Sequence, residues 1–476
     1  MKTVLVKAYH EIGLNAFVDS PTDVKVLCLQ RFVRLAAYGA STLVLVLYLV
    51  DLGNTVDKTG LFMTLTLVGD VVISLILTLV ADKLGRRRLL AIGSLLMAAS
   101  GIIFATTGNF WILLLASVIG VISPNGNEIG PFKAIEESII AQLTPSADRS
   151  SMLAWYTLHG TAGVAIGTIV CGWVVRVLQS KNDWTPVQTY RLIYAVYAAM
   201  GIVKFCMCLV LSKACELEPV KTPITADNDE RQPLLANDHD SQGSGAEAQK
   251  STIRGLLPSL SKETRSLIMK LGVLFAMDSL ASGLSPASWV IYFFHSKFGL
   301  EEGKLGSLFF VTNIISSASN LVASSLARRI GLVKTMVFTH APASIALALL
   351  PVPGNVGIAI ALLVFRSSTN SMDQAPRQAF LAAAVLPAER TSVMGIINVI
   401  KTMCQSVGPV ITGRLAGSGK FWLAFVVAGV LKLVYDVLLL GMFLGYRTVE
   451  DKAQVTAVEE EERECDESTD ERRHAS

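Results

Sequence analysis

Apolar residues fall in long, nearly uncharged blocks separated by shorter polar stretches, and the blocks have the length of membrane-crossing helices. A helix rising about 1.5 Å per residue needs roughly 20 apolar residues to cross a hydrocarbon core about 30 Å thick. Six blocks precede one long polar connection: Arg31–Val50, Leu61–Val80, Leu89–Thr107, Trp111–Gly130, Met152–Val174 and Leu192–Leu211. Six follow it: Leu267–Phe294, Leu305–Leu326, Thr335–Leu350, Val356–Arg377, Ser392–Leu415 and Phe421–Leu444. The seventh contains Gly283 and Pro286. Proline removes a backbone hydrogen bond and crowds the preceding turn, so one kinked helix is predicted there. The expected fold is an all-α polytopic membrane protein.

Composition points the same way. The chain is 52% hydrophobic and 17% charged over 476 residues, where soluble domains carry about 25% charged residues. The net charge of +3, with no basic arm interleaved with aromatics, gives no reason to expect nucleic acid. The seven cysteines lie mostly in or beside apolar blocks, without zinc spacing or a disulfide framework, and no cofactor is expected. No nucleotide-binding Gly-x-x-x-x-Gly-Lys loop or nucleophile elbow appears, which argues against an ATP-driven pump and against an enzyme. The first 25 residues have no apolar core of a signal peptide.

Basic residues orient the spans. With a cytoplasmic N-terminus, the inside loops hold Lys83, Arg86, Arg87, Arg88, Arg149, Lys213, Arg328, Arg329, Lys334 and Arg390, while Thr107–Phe110 and Pro351–Asn355 outside hold none. Lys58, Lys181, Lys297, Lys304 and Lys420 make the bias less than absolute. Both termini are then cytoplasmic. The expected organisation is an N-terminal segment 1–26, a bundle 27–212, a disordered linker 213–262, a second bundle 263–446 and an acidic tail 447–476. In the linker, Glu230-Arg231-Gln232-Pro233-Leu234-Leu235 looks like an acidic dileucine sorting signal. Its expected partner is a sorting adaptor, and the expected location the plasma membrane or a vacuolar or lysosomal membrane; a plain linker is the alternative.

The halves echo each other. Ala81-Asp82-Lys83-Leu84-Gly85-Arg86-Arg87-Arg88 after the second span matches Ala327-Arg328-Arg329-Ile330-Gly331-Leu332-Val333-Lys334 after the eighth. Asn125 to Ala134 matches Asn370 to Ala379, and Gly201-Ile202-Val203-Lys204 matches Gly429-Val430-Leu431-Lys432. A parallel repeat of two six-helix bundles is the reading. The stretch from Asp82 to Arg88 resembles the loop-two signature of the major facilitator superfamily, departing from it where Thr78 replaces a glycine. Leu143-Thr144-Pro145 through Arg149-Ser150 resembles that family's loop after the fourth helix, and Leu386-Pro387 through Arg390-Thr391 repeats it. The resemblance implies two bundles related by a pseudo-two-fold axis, alternating access to a central cavity lined by spans 1, 4, 7 and 10, and a gating loop at Asp82, Gly85, Arg86 and Arg87.

Ionisable groups inside a span cost about 2.5–3.5 kcal/mol on insertion scales, so each is a candidate for function. Arg34, Tyr38, Glu128, Asp278, Arg366, Asp373 and Arg377 fall on the helices that the resemblance places around the cavity; Asp70, Lys204, Lys432 and Asp436 fall on others. Acids in a low-dielectric cavity can exchange protons near neutral pH, which makes Glu128, Asp278 and Asp373 the expected proton couplers. Arg34 and Arg366 suit an anionic group on the solute, or those acids. Structural readings stand beside these. Asp373 with Arg377, and Lys432 with Asp436, are four residues apart and can neutralise each other. Arg34 and Arg377 can snorkel to the interface, and Lys133, Glu136 and Glu137 are expected to be solvated. The fifth span is glycine-rich from Gly160 to Gly172, which allows close helix approach, and resembles the antiporter motif of drug–proton exporters without its Gly-Pro pair. His159 is expected to pack or gate. The leading expectation is a monomeric, proton-coupled secondary transporter of a small organic solute; a non-transporting membrane sensor on the same fold is the alternative.

Overall fold

The computed structural model describes residues 14–120, 122, 124, 132–145, 148–181, 184–216, 262–385 and 389–444. They form α1 (Leu14–Asp19), α2 (Thr22–Asp51), α3 (Val56–Leu84), α4 (Arg86–Thr106), α5 (Phe110–Ile119), α6 (Phe132–Leu143), α7 (Arg149–Lys181) and α8 (Pro186–Val210) in the first half. The second half has α9 (Lys262–Leu284), α10 (Ala287–Phe298), α11 (Glu302–Ile330), α12 (Leu332–Leu349), α13 (Val356–Thr369), α14 (Gln374–Ala384), α15 (Arg390–Gly417) and α16 (Phe421–Phe443). Counting α9 with α10 as one, nine helices among the described residues are long and apolar enough to cross a membrane. The helix α3 and the interrupted pairs α5–α6 and α13–α14 complete the twelve predicted spans. Most helices outrun their apolar blocks; α2 begins at Thr22, nine residues before Arg31, because a helix continues past the hydrocarbon boundary while its backbone bonds remain satisfied.

The predicted kink in span 7 is a break at Ser285–Pro286 between α9 and α10. Neighbours answer the freed backbone: the Thr412 hydroxyl donates to the Leu284 carbonyl at 2.7 Å. Span 10 is also broken, between Thr369 and Gln374, where one continuous helix is expected from the sequence. Side-chain caps start the spans on one side. Asn109 accepts from the Trp111 and Ile112 amides, and Thr185 and Gln188 form a reciprocal capping box. Large apolar side chains stand outward, among them Leu115 at 61%, Val273 at 69%, Phe338 at 60% and Val437 at 63% exposure. Such a surface fits lipid rather than water.

The repeat is visible in the packing. In the first half α2 packs on α7, and α4 on α8; in the second, α9 packs on α15, and α12 on α16. Across the halves α7 meets α11 and α3 meets α15. Spans 1·5, 3·6 and 5·8 thus reappear as 7·11, 9·12 and 11·2. Gly85 and Gly331 both take a left-handed φ, +82° and +88°, at the junction before the next helix, so the matched motifs turn alike.

Candidate functional site: two buried ion clusters and a central cavity

Each bundle holds a buried ion cluster, and the two clusters are built on equivalent spans with opposite signs. In the first half Arg34 of span 1 donates to Glu136 of span 4 through both terminal nitrogens, at 2.6 and 2.8 Å. The Tyr156 hydroxyl donates to the same carboxylate at 2.6 Å, and Lys204 of span 6 lies 3.8 Å away. In the second half the acid is on span 7 and the arginine on span 10: Arg377 donates to Asp278 at 2.9 Å. Lys432 of span 12, the repeat partner of Lys204, donates to Asp278 at 2.7 Å and to Ser282 at 2.8 Å. Arg377 also pairs with Asp373 one turn earlier on span 10. Behind them His340 of span 9 sits 2.9 Å from Asp436 and 3.8 Å from Asp278.

The clusters differ in access. Arg34, Glu136 and Lys204 are 2% exposed or less and line none of the three cavities described next. Asp278, Asp373, Arg377 and Lys432 face a cavity of about 370 Å³ in the second bundle. That cavity shares Asp278, Arg377 and Lys432 with a second one of about 360 Å³, lined also by Arg366. A third, about 380 Å³, shares Asn313, Ser316 and Gln374 with the second and reaches Arg31, Leu35, Gly39 and Thr42 of span 1. Together they form a polar space between the bundles. It is closed at the end opposite the chain termini. There Arg176 pairs with Glu301 at 3.3 Å, Tyr190 donates to Glu302 at 2.7 Å and the Val410 amide donates to Thr64 at 3.0 Å. Glycines let the backbones meet: a Cβ on Gly60 would fall 2.8 Å from the Gly413 Cα, and one on Gly172 3.0 Å from the Gly306 Cα.

The sequence-derived candidates separate into groups. Asp278, Asp373, Arg377 and Arg366 line the cavity. Arg34 and Tyr38 are not among the residues lining these cavities: Arg34 is in its ion cluster and Tyr38 stacks on Tyr197 at 6.4 Å. Neither Arg34 nor Arg377 snorkels: both are buried and bonded to acids. Glu136, expected in solvent, is fully buried, whereas Glu137 and Lys133 stay half-exposed beside each other. Lys432 and Asp436 do not pair within their helix; each bonds to another span. His159 packs on Phe17, with ring centroids 5.4 Å apart. At the loop after span 2 the amides of Arg86 and Arg87 donate to Glu216, just after span 6, at 2.7 and 3.2 Å, a carboxylate capping the N-terminus of α4. Glu128, Glu230, Leu234, Leu235 and the Asp82 side chain lie outside the described residues. Glu136 was expected in solvent, and His340 and Lys401 escaped the sequence reading. Only Glu136 carried a clear signal: it shares one helix face with Phe132, Ile139 and Ile140, all buried.

Twelve spans in two repeated bundles around a polar cavity define a transporter of the facilitator type. The chain belongs to the Major Facilitator Superfamily, whose model matches residues 27–363 and 271–474. It is similar to the "Uncharacterized membrane protein YJR124C" of Saccharomyces cerevisiae, 38% identical over 435 residues, 90% of this chain and 96% of that one. It is also similar to the quinolone resistance protein NorA of Staphylococcus aureus, 28% identical over 186 residues, 39% of this chain and 44% of NorA. Among solved structures, the nucleoside transporter NupG superposes with a TM-score of 0.67 at 16% identity, over 89% of this chain and 100% of that one, a likeness of fold. The protein is a multi-pass membrane protein of a transporter family, and not an enzyme.

Proposed function

We propose that this protein is a secondary active transporter that moves a small organic solute by alternating access, coupled to protons through the ion cluster of its second bundle. The observation that carries the reading is the placement of Asp278. It bonds to two cations from two other spans while facing the cavity between the halves. A solute group that draws Arg377 or Lys432 away leaves Asp278 without counter-charge in a low-dielectric site, and a proton restores neutrality. Asp373 can take over Arg377 in that exchange. The cluster of the first bundle has the same parts and lines none of these three cavities, which suits a fixed brace.

Closure at the end opposite the termini corresponds to a cytoplasm-facing state if the basic loops set the orientation. On this reading the loop from Asp82 to Arg87, where the Arg86 and Arg87 amides donate to Glu216, follows the movement of the halves, and Glu230, Leu234 and Leu235 act as a sorting signal. The test is proton flux in proteoliposomes with an entrapped pH dye across a panel of organic acids, sugars and amines. The expected result is solute-dependent proton movement, reduced at least tenfold in Asp278→Asn while the protein stays monodisperse. Solute uptake indifferent to protonophore would remove the coupling, and silence across the panel would favour the sensor reading.

A further inference from the structure

We infer that the transported solute is a small hydrophilic anion, carrying a carboxylate or phosphate group that Arg366 and Lys401 receive; this rests on the transport reading above. The inference comes from counting charge around the cavity of the second bundle. Among the described residues its walls present Arg366, Arg377, Lys401 and Lys432 against Asp278 and Asp373, an excess of 4 − 2 = 2 positive charges with His340 left out of the count. Arg377 and Lys432 are accounted for by the two acids. The other two are not. Among the described residues no carboxylate lies within ion-pair distance of Arg366, and its Nε is buried without a hydrogen-bond partner. Lys401 likewise has no ion pair there; its ammonium rests 5.9 Å from the Phe275 ring centroid. The two come from different spans, 10 and 11, and both face the same space.

Two cations with no counter-charge among the described residues are costly in a partly desolvated site, and an anion offsets that cost. A guanidinium in particular matches carboxylate or phosphate with two parallel hydrogen bonds. The rest of the lining indicates what else the anion carries. The 360 Å³ cavity is walled by six serines, two asparagines, two glutamines and a threonine, with Phe309 as its one aromatic. Hydroxyl and amide groups at that density suit a hydrophilic molecule rather than a flat lipophilic drug, which would need aromatic walls. The first bundle adds Arg31 and Lys133 to the adjoining space, both within 4.0 Å of Glu137, so the described residues on that side carry two cations against one acid.

The test uses the full chain in proteoliposomes. A protein-free small-molecule cell extract is divided by ion exchange into anionic, neutral and cationic fractions, and each is offered separately. Solutes that enter are identified by mass spectrometry against protein-free liposomes. The expected result is protein-dependent uptake from the anionic fraction. It falls at least tenfold in both Arg366→Gln and Lys401→Gln, and Arg366→Lys restores part of it. Matched thermal unfolding and monodispersity of the variants separate a lost site from a lost fold. Uptake confined to the neutral or cationic fraction, or anion uptake unchanged in both variants, overturns the assignment while leaving transport standing. No uptake from any fraction overturns transport itself, and the anion site with it.

Discussion

At Glu136 one carboxylate accepts two hydrogen bonds from Arg34 and one from Tyr156, with Lys204 at 3.8 Å. Four groups from spans 1, 4, 5 and 6 thus share a site with no exposure at its centre. Removing one member of such a set leaves a buried charge unanswered, at a cost of about 3–5 kcal/mol, whereas removing both members of a pair costs less. Glu136→Gln should therefore lower the unfolding temperature of the purified protein sharply. Arg34→Leu combined with Glu136→Leu should cost less than the two single changes added together. Additive losses in thermal unfolding would show that the pair is not coupled. Its counterpart Asp278 should behave differently: because it faces the cavity, substitution there should affect flux before stability. In both cases the ionisable residue was visible in the sequence, but not its partner. Lys432 and Asp436 stand at neutralising spacing on one helix, yet tertiary packing gives Asp278 to the first and His340 to the second.

At the scale of elements, the glycines of span 5 decide how closely it lies on span 1. Any Cβ on Gly163 would meet the Phe32 carbonyl at 2.5 Å, and one on Gly167 would press into the backbone at Ala36. Gly39 answers from the other side, facing Val164. Without a hydrophobic drive between helices in lipid, this close approach supplies the packing energy. Gly167→Val should force the helices apart and cost about 1–3 kcal/mol, read as a lower unfolding temperature and a smaller monodisperse yield. Gly354→Val, at a position where a Cβ meets nothing, is the control and should change neither. Equal effects of the two would show that the glycines are not packing contacts. The glycine pattern was legible in the sequence, and so was a kink at Pro286, though not that it breaks the helix. The break in span 10 was not, because Asn370 to Asp373 contains neither glycine nor proline.

Across the whole molecule, the halves meet where spans 2 and 11, and spans 5 and 8, cross through glycine. These contacts hold one end of the cavity shut. Alternating access needs them to separate and the opposite end to close, and a side chain placed in the crossing should bias that equilibrium. Gly413→Leu, which would push into Gly60 and the Val56 carbonyl, should favour the state open at this end. A cysteine at Ser316 should then react faster with a membrane-impermeant thiol reagent added from that side, in a background without the native cysteines. No change in labelling would mean that the glycine crossing does not control access.

Sequence alone determined the solvent and the architecture, because both follow from local properties. Span length reflects the thickness of lipid, and two copies of one motif set imply two copies of one bundle. Which charges meet was decided only in three dimensions. Glu136 reaches Arg34 across 102 positions and Lys432 reaches Asp278 across 154. Both clusters are buried; what separates them is that the second lines a cavity, and no local pattern encodes which of two equivalent clusters does so.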